Sequence, residues 1–498
     1  MRRILLFTFL ALVLIALVVL LPPAVFLSAV GIRESRTSLA KDAVGTGDAS
    51  RLSKSSAAEV IPVDADPAAA EKQLTALVQR AAREGRHITI SGARHSMGGH
   101  TLYPGGIALD MLPFHAMALD EKAGILTVGA GARWGEVIPF LNSHGYAVGV
   151  MQSNNDFSVG GSLSVNCHGW QHNSPPIAST VESIRVLRAD GTVATCSRKE
   201  NPELFSLVLG GYGLFGVILE AKLRVVPNEF YSAEAYEIVP ANYSQIYHSL
   251  TQRKDAGMAY GRISVAPGSF LNEAVVVLLK RSKAPSPELL KAPLRASEES
   301  TLKRLVFRGS VGSDYGKNLR WHLEKLVGQK GGSSLTRNQI MNEPSEWFAN
   351  RDPDATEILH EYFIPTERLW EFIKKARPVF LRHKPDLLNI TVRNVEPDED
   401  TFLCYAREEV FGLVMLFHQK RGEAAENAMR DFTRELIDVA LDCGGTYYLP
   451  YRPHATLEQF KRGYPQARKF FRFKQLYDPD DIFVNEFFEK YGKPLLKK

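Results

Sequence analysis

The chain has 498 residues, enough for two or three domains with large hydrophobic cores. Apolar residues make up 45% and charged residues 23%, close to the globular average, which excludes a disordered or collagen-like chain. The net charge is only +5, without a long run of Lys and Arg, so nucleic acid is not an expected partner. Four widely spaced cysteines predict neither a metal site nor a disulfide scaffold.

The N-terminus is an apolar segment with no charge between Arg3 and Arg33. Residues 4–21 would span ~27 Å as a helix, about the thickness of a hydrocarbon core. We therefore expect a single-pass transmembrane anchor or signal-anchor over residues 1–32, and a polar tether over residues 33–57. A cleaved signal peptide and a buried core helix are the alternatives.

Positive charges on the two sides of this segment bear on its orientation. Arg2 and Arg3 favour an exported body, whereas Arg33, Arg36 and Lys41 weaken that argument. We expect the folded body on the periplasmic side of a membrane.

The folded body is expected to begin near Val60. Asp66 is a predicted N-cap, Pro67 fits the first helical position, and Gly85 is a plausible helix end. Short strands are then predicted at 87–92, 107–111, 125–129 and 217–227, with a helix at 132–145 and a hairpin at 181–196.

A second region, residues 229–440, combines strands with longer amphipathic helices. A final region, residues 441–498, is rich in aromatic and basic residues. Within the second region we predict strands at 274–279 and 411–417, helices at 366–378 and 423–441, and an exposed loop at 281–300.

Three glycine-rich segments are candidates for nucleotide-binding loops. The GxGxxG match at 211–216 follows a predicted helix and precedes a strand, the reverse of the Rossmann order. The match at 129–135 lacks a second strand ending in an acid ~20 residues later. The loop at 91–100, SGARHSMGGH, offers backbone amides that suit a pyrophosphate, or is an ordinary tight connection.

Five segments together carry a family resemblance: residues 87–111, 158–170 (SVGGSLSVNCHGW), 210–218 (GGYGLFGVI), 451–460 (YRPHATLEQF) and 477–488 (YDPDDIFVNEFF). In this order they resemble the vanillyl-alcohol oxidase, or PCMH-type, flavoproteins, and most of all the aldonolactone and alditol oxidases. Cytokinin dehydrogenases and decaprenylphosphoryl-ribose oxidases resemble the chain less.

The resemblance implies an α+β fold with a two-part FAD-binding domain and an α+β cap domain. Residues 58–228 and 441–498 would form the FAD domain, and residues 229–440 the cap that shapes the substrate pocket. The pyrophosphate of FAD would lie over the 92–99 loop. Cofactor binding is thereby expected of Gly92, Ala93, Arg94, His95, Ser96, Gly98, Gly99, Ser158, Gly160, Gly161, Ser164, Asn166, Gly216, Val217 and Ile218.

Two of these positions carry a finer expectation. His95 matches the histidine that is joined to the flavin 8α-methyl in covalently flavinylated members; otherwise it caps the loop by hydrogen bonds. Cys167 stands where a small residue affects oxygen access in lactone-oxidising relatives. It is either a gate that favours a dehydrogenase over an oxidase, or an inert packed thiol.

Catalytic roles are also carried over from the resemblance. Arg393 matches the arginine of an "E.R" element, whose Glu is replaced here by Thr391, and the alternative is a strand arginine paired with an acid. Arg452 and His454 match "RPH", and His454 is a candidate base or a structural histidine. The Trp and Lys that follow in the family are absent here. Further candidates for the pocket lining are Glu361, Tyr448 and Tyr451.

The expected function is hydride transfer from the CH–OH carbon of a sugar-, lactone- or polyol-like substrate to FAD. Oxygen, a quinone or a cytochrome would accept the electrons, and no metal is expected. The alternatives are a lipid-linked sugar as substrate, a non-catalytic flavin-binding membrane protein, and a nicotinamide-dependent dehydrogenase.

Overall fold

The computed structural model describes residues 20–35, 43–284, 286–294, 301–329 and 335–497. Most of the predicted membrane segment lies outside these residues. Among the helices in the described ranges, none is long and apolar enough to cross a bilayer. The described part of the first helix, α1, covers residues 20–35.

The first unit of the body is a three-stranded parallel sheet in the order β1-β3-β2. Helix α2 begins after Asp66, whose carboxylate accepts the amide of Ala69, and ends at Gly85 in a left-handed conformation, as the sequence predicts. The elements are β1 (Glu59–Pro62), α2 (Pro67–Glu84), β2 (Ile88–Ser91) and β3 (Ile107–Asp110).

The second unit is a six-stranded antiparallel sheet in the order β4-β5-β9-β7-β8, with β6 paired to β9. The helix before the GxGxxG match and the strand after it are both present, so the match is not a Rossmann loop. The elements are β4 (Met117–Asp120), β5 (Ile125–Gly129), α3 (Trp134–His144), β6 (Tyr146–Val148), α4 (Val159–Ser164), β7 (Val181–Leu187), β8 (Val193–Cys196), α5 (Pro202–Val208) and β9 (Val217–Pro227).

The cap is built on an eight-stranded sheet in the order β13-β10-β12-β11-β15-β16-β14-β17. Its last strand belongs to the tail, so the cap takes up residues beyond the predicted boundary at 440. The elements are β10 (Phe230–Ile238), α6 (Tyr243–Thr251), β11 (Ala256–Ile263), β12 (Ala274–Ser282), α7 (Thr301–Gly309), α8 (Asp314–Gln329), β13 (Leu335–Thr336), α9 (Arg337–Met341), β14 (Ala355–Pro365), α10 (Leu369–His383), β15 (Asp386–Val395), β16 (Val410–Lys420), α11 (Glu423–Asp442) and β17 (Thr446–Tyr447).

The two faces of this sheet have different roles because side chains alternate along a strand. On one face, Tyr362 packs against Phe372 of α10, and the ring of Tyr243 in α6 lies over Gly261. On the other face, a straight row crosses five neighbouring strands and lines a cavity. Its members are Val275, Arg262, Thr391, Val414 and Glu361.

The tail returns to the FAD domain and fixes its glycine loops. The amide of Asn485 donates to the carbonyls of His100 and Tyr212, which joins the 91–100 loop to the 211–216 turn. The Asp478 carboxylate accepts hydrogen bonds from the amides of Ile482 and Phe483, which fixes the turn that precedes Asn485. The tail contains α12 (Leu457–Gly463), α13 (Ala467–Tyr477) and α14 (Lys493–Leu496).

Part of the predicted tether is folded. Asp48 is buried and accepts the amide of Gly99, and the Ser50 carbonyl accepts the Thr356 hydroxyl. Segment 43–57 therefore makes hydrogen bonds with both the FAD domain and the cap. A tether over residues 33–57 stays a prediction.

Candidate active site

A cavity of about 1420 Å³ lies between the FAD domain and the cap sheet. Typical ligand pockets measure ~300–1,000 Å³, so this one has room for a large cofactor and a second molecule. Both predicted halves of the chain contribute to its lining.

The glycine loop forms one end of the cavity. A Cβ at Gly92 would lie 2.0 Å from the Ser158 hydroxyl, so only glycine lets the loop pass α4 this closely. The amide of Ala93 donates to that hydroxyl over 3.2 Å. The predicted cofactor residues that line the cavity are Gly92, Ala93, Arg94, His95, Ser96, Ser158, Gly160, Gly161, Ser164, Gly216 and Ile218.

Unsatisfied polar atoms mark this end as a binding site. Ser96 Oγ and Thr101 Oγ1 are buried and have no hydrogen-bond partner among the described residues. Burial lowers the pKa of His100 to about 3, so its imidazole is neutral. Buried hydroxyls without partners are costly, and a polar ligand such as the pyrophosphate or ribityl chain of FAD would satisfy them. The residues present thus fit the cofactor.

His95 lies in the cavity wall. Its ring stacks on Phe157 with centroids 3.9 Å apart, and its Nε2 lies 3.2 Å from the Asp156 carbonyl. These contacts hold the imidazole in a fixed orientation.

Four predicted cofactor residues do not line the cavity. Gly98 packs against the Tyr451 carbonyl, and Gly99 packs against the Glu486 side chain. Asn166 adopts a positive φ and donates its amide to Asp398. The fourth, Val217, is buried in β9. Gly98, Gly99 and Asn166 thus shape the loops, and Val217 packs in the core.

Arg393 points into the opposite part of the cavity. Its guanidinium donates to Ser153 Oγ at 2.9 Å and to the His168 carbonyl at 3.3 Å. It has no carboxylate partner among the described residues, so the alternative of an acid-paired strand arginine does not hold.

A buried His–Glu pair lies beside it. Nε2 of His168 is 2.6 Å from Oε1 of Glu361, and the Tyr451 hydroxyl donates to Oε2 over 3.4 Å. Gly412 makes room for this pair, because a Cβ there would lie 3.0 Å from Glu361 and 3.2 Å from His168. The predicted lining by Glu361, Tyr448 and Tyr451 is confirmed.

Cys167 also lines the cavity and is buried. Burial raises the pKa of its thiol to about 12, so the side chain is an uncharged apolar group at neutral pH.

Arg452 and His454 do not belong to the cavity lining. Both bind Oε1 of Glu426, at 2.6 and 2.8 Å, and Arg452 also donates to the Met97 carbonyl. Burial pushes the pKa of Glu426 upward, but His454 and Arg452 outweigh it and lower that pKa to about 2. The network supports the back of the glycine loop, and it gives no support to the catalytic roles predicted for the two residues.

The cap end holds charged residues that the sequence analysis did not find. Arg262, Arg320 and Glu324 line the cavity next to Asn389 and Thr391. They come from β11, α8 and β15, so no local motif connects them. The pairing of β11 with β15 and the packing of α8 against these strands bring them to one place.

Comparison with known proteins agrees with this picture. Residues 67–197 match the family model described as FAD binding domain. The chain is 25% identical over 439 residues to decaprenylphosphoryl-β-D-ribose oxidase of Mycolicibacterium smegmatis, which covers 82% of this chain and 90% of that protein. It is 22% identical over 399 residues to L-gulonolactone oxidase of Mus musculus, covering 75% and 82%. It is 33% identical over 165 residues to D-arabinono-1,4-lactone oxidase of Yarrowia lipolytica, covering 32% and 31%.

The fold, the cavity and the family match together define an FAD-dependent oxidoreductase with a PCMH-type FAD-binding domain. Within that class the chain is similar to aldonolactone oxidases and to decaprenylphosphoryl-ribose oxidase.

Proposed function

We propose that the protein oxidises the CH–OH group of a sugar-, lactone- or polyol-like substrate. The observation that carries this proposal is one continuous cavity that joins the glycine loop to polar residues of the cap sheet. Bound FAD supplies the hydride acceptor. The protein's own residues hold the alcohol in place and receive its proton.

Arg393 and the His168–Glu361 pair are the groups suited to those tasks. The guanidinium is fixed by two hydrogen bonds and supplies positive charge where negative charge develops. The imidazole of His168, held against Glu361, is a suitable proton acceptor. Arg393 and Glu361 lie on strands of the cap sheet, and His168 packs against Glu361, so the sheet fixes the positions of all three.

Covalent attachment of FAD through His95 belongs to this proposal. Its imidazole lines the cavity and is oriented by Phe157 and Asp156. A covalent link would retain the cofactor through denaturation.

A lipid-linked sugar is the second candidate substrate. The apolar residues Leu302, Val306 and Phe307 of α7 line the cavity, and Leu302 is 62% exposed. The similarity to decaprenylphosphoryl-ribose oxidase extends over most of both chains. An N-terminal membrane anchor, with the body on the periplasmic side, would keep such a cavity near a lipid surface.

Two measurements on the purified protein test the proposal. On an acid-washed denaturing gel, the wild-type band should show flavin fluorescence and His95→Ala should not. FAD released from the wild type would contradict the covalent link alone. Anaerobic bleaching of the flavin by a panel of aldonolactones, polyols and lipid-linked sugars should identify a reducing substrate. No bleaching in any case, with normal FAD content, would favour a non-catalytic flavin-binding protein.

A folded preparation without flavin, even after FAD is supplied, would contradict the assignment itself. Oxygen, a soluble quinone and cytochrome c are then compared as acceptors by following re-oxidation of the reduced flavin.

A further inference from the structure

The cap end of the cavity contains a half-buried cluster of three charged side chains, Arg262, Arg320 and Glu324. Glu324 Oε1 accepts Nη2 of Arg262 at 2.9 Å and Nε of Arg320 at 2.8 Å. The Arg320 side chain is 11% exposed, and its Cζ lies 4.7 Å from the Phe307 ring centroid. Arg320 is thus the most shielded member of the cluster, since the Arg262 and Glu324 side chains are 21% and 31% exposed.

The hydrogen bonds leave part of the cluster unused. A guanidinium has five N–H donors. Arg320 places three, on Glu324, the Leu388 carbonyl and Asn389 Oδ1. Arg262 places two, on Glu324 and Thr391 Oγ1. Three donors of Arg262 therefore have no partner among the described residues, and the residue lines the cavity.

The charges at this end do not balance. One carboxylate, Glu324, faces the two guanidiniums of Arg262 and Arg320, and burial lowers the pKa of Arg320. Arg393 adds positive charge to the same lining, and Glu361 beside it adds negative charge. A further acid of the lining is Glu343, and burial raises its pKa.

The register places this excess charge close to the site of chemistry. Arg262 lies directly opposite Thr391 on β15, so Arg393, two residues further on, is its diagonal neighbour on the same face. Such neighbours are ~7–8 Å apart. A small molecule whose alcohol lies at Arg393 can therefore reach Arg262 with a group a few bonds away.

We propose that Arg262, supported by Glu324 and Arg320, binds an oxyanion of the substrate, either a carboxylate or a phosphate. Planar guanidinium groups bind both in a bidentate manner. The inference rests on the proposed function and narrows its substrate class to acidic or phosphorylated sugar-like alcohols.

Binding to the FAD-loaded enzyme tests the proposal without requiring turnover. Ribose, ribonate and ribose 5-phosphate are titrated into the enzyme at low salt, and affinity is measured by calorimetry and by the flavin difference spectrum. At least one anion should bind about tenfold or more tightly than ribose, a difference expected for one charge-assisted contact. The two anions distinguish a carboxylate site from a phosphate site.

Substitutions at Arg262 and Glu324 should change the affinity for the anion in opposite directions. Arg262→Gln should remove the preference for the anion, and Arg262→Lys should restore part of it. Glu324→Gln removes a negative charge and should tighten anion binding severalfold. Arg185→Gln, which changes an exposed arginine paired with Glu71 in the FAD domain, should have no effect.

The proposal is overturned if the anions bind no better than ribose, or if none of the three probes binds. It is also overturned if Glu324→Gln weakens the anions and ribose alike, because the cluster would then recognise hydroxyl groups. Anion binding that follows these signs, without flavin reduction by any alcohol, would support the oxyanion site and contradict the proposed reaction.

Discussion

At the scale of single residues, the cavity separates two arginines that the sequence analysis treated alike. Arg393 is held by a hydroxyl and a carbonyl and keeps its charge available. Arg452 is neutralised by Glu426 behind the glycine loop. The same type of side chain thus lines the cavity in one place and supports the glycine loop from behind in the other.

Arg393→Ala should leave FAD content unchanged and slow flavin reduction by ~10²-fold, the typical cost of removing one preorganised charge-stabilising donor. Stopped-flow measurement of flavin bleaching checks this, with Arg393→Lys as the variant that retains charge. Unchanged reduction kinetics would show that Arg393 has no role in the reaction.

His454→Gln should behave differently. Burial lowers the pKa of His454, so protonating it costs native stability, which is present above about pH 6.5 and lost as the pH falls below it. The variant should reduce flavin at a near wild-type rate and lose part of this acid sensitivity. Thermal unfolding between pH 5 and 8 measures the second effect, and a large loss of reduction rate would restore the catalytic role.

Cys167→Gly should increase the rate at which oxygen re-oxidises the reduced flavin. The thiol is buried, uncharged and in the cavity wall, so its removal opens space beside the ligand. Oxygen-dependent re-oxidation is followed after anaerobic reduction, with Cys196→Gly, outside the cavity lining, as the control. An equal rate in Cys167→Gly and wild type would identify the thiol as a packing residue.

At the scale of elements, local patterns were sufficient where one segment determines its own structure. Helix α2 begins at Asp66 and Pro67 and ends at Gly85, as predicted. The Asp190–Gly191 turn joins β7 to β8. The row of side chains across the cap sheet could not be predicted. Arg262 and Glu361 are about a hundred residues apart in sequence and fall in one row only through the strand register. Family motifs found the glycine loop, but not which of its residues face the cavity.

The contact between the tail and the glycine loop makes a prediction about pH. Burial, and then the charge of Asp48, raise the pKa of Glu486 to about 7. Because its unfolded pKa is lower, the native state holds the proton more tightly, and stability falls as the pH rises from about 4.5 to 7. Glu486→Gln should therefore gain ~1–2 kcal/mol over wild type at pH 8, after allowance for partial exposure, and little at pH 4.5.

Chemical unfolding at the two pH values measures this difference. Glu458→Gln, at an exposed glutamate on α12, is the matched control and should show no pH-dependent gain. A gain of the same size at both pH values would mean that Glu486 does not titrate as described.

At the scale of the whole molecule, the N-terminal helix is connected to the cavity wall. Glu34 forms ion pairs with Arg304 and Arg308 of α7, whose side chains are 6% and 2% exposed. Phe26 packs edge-to-face on Tyr315 of α8. Residues of α7 and α8 also line the cavity. The contacts of α1 with these two helices therefore support the cavity wall.

Two truncations should separate these roles. Removal of residues 1–19 should release the protein from membranes and leave the flavin and its reduction by substrate unchanged, because the contacts of α1 remain. Removal of residues 1–35 also deletes Glu34 and leaves two buried arginines with less compensation, which typically costs ~3–5 kcal/mol when one partner of a buried pair is lost. We expect the second truncation to bind FAD but to unfold at a lower temperature and to bind substrate less tightly.

Glu34→Gln in the full chain isolates the ion pairs from the rest of the helix. Equal stability and substrate affinity in the two truncations would mean that the contacts of α1 with α7 and α8 do not support the substrate site.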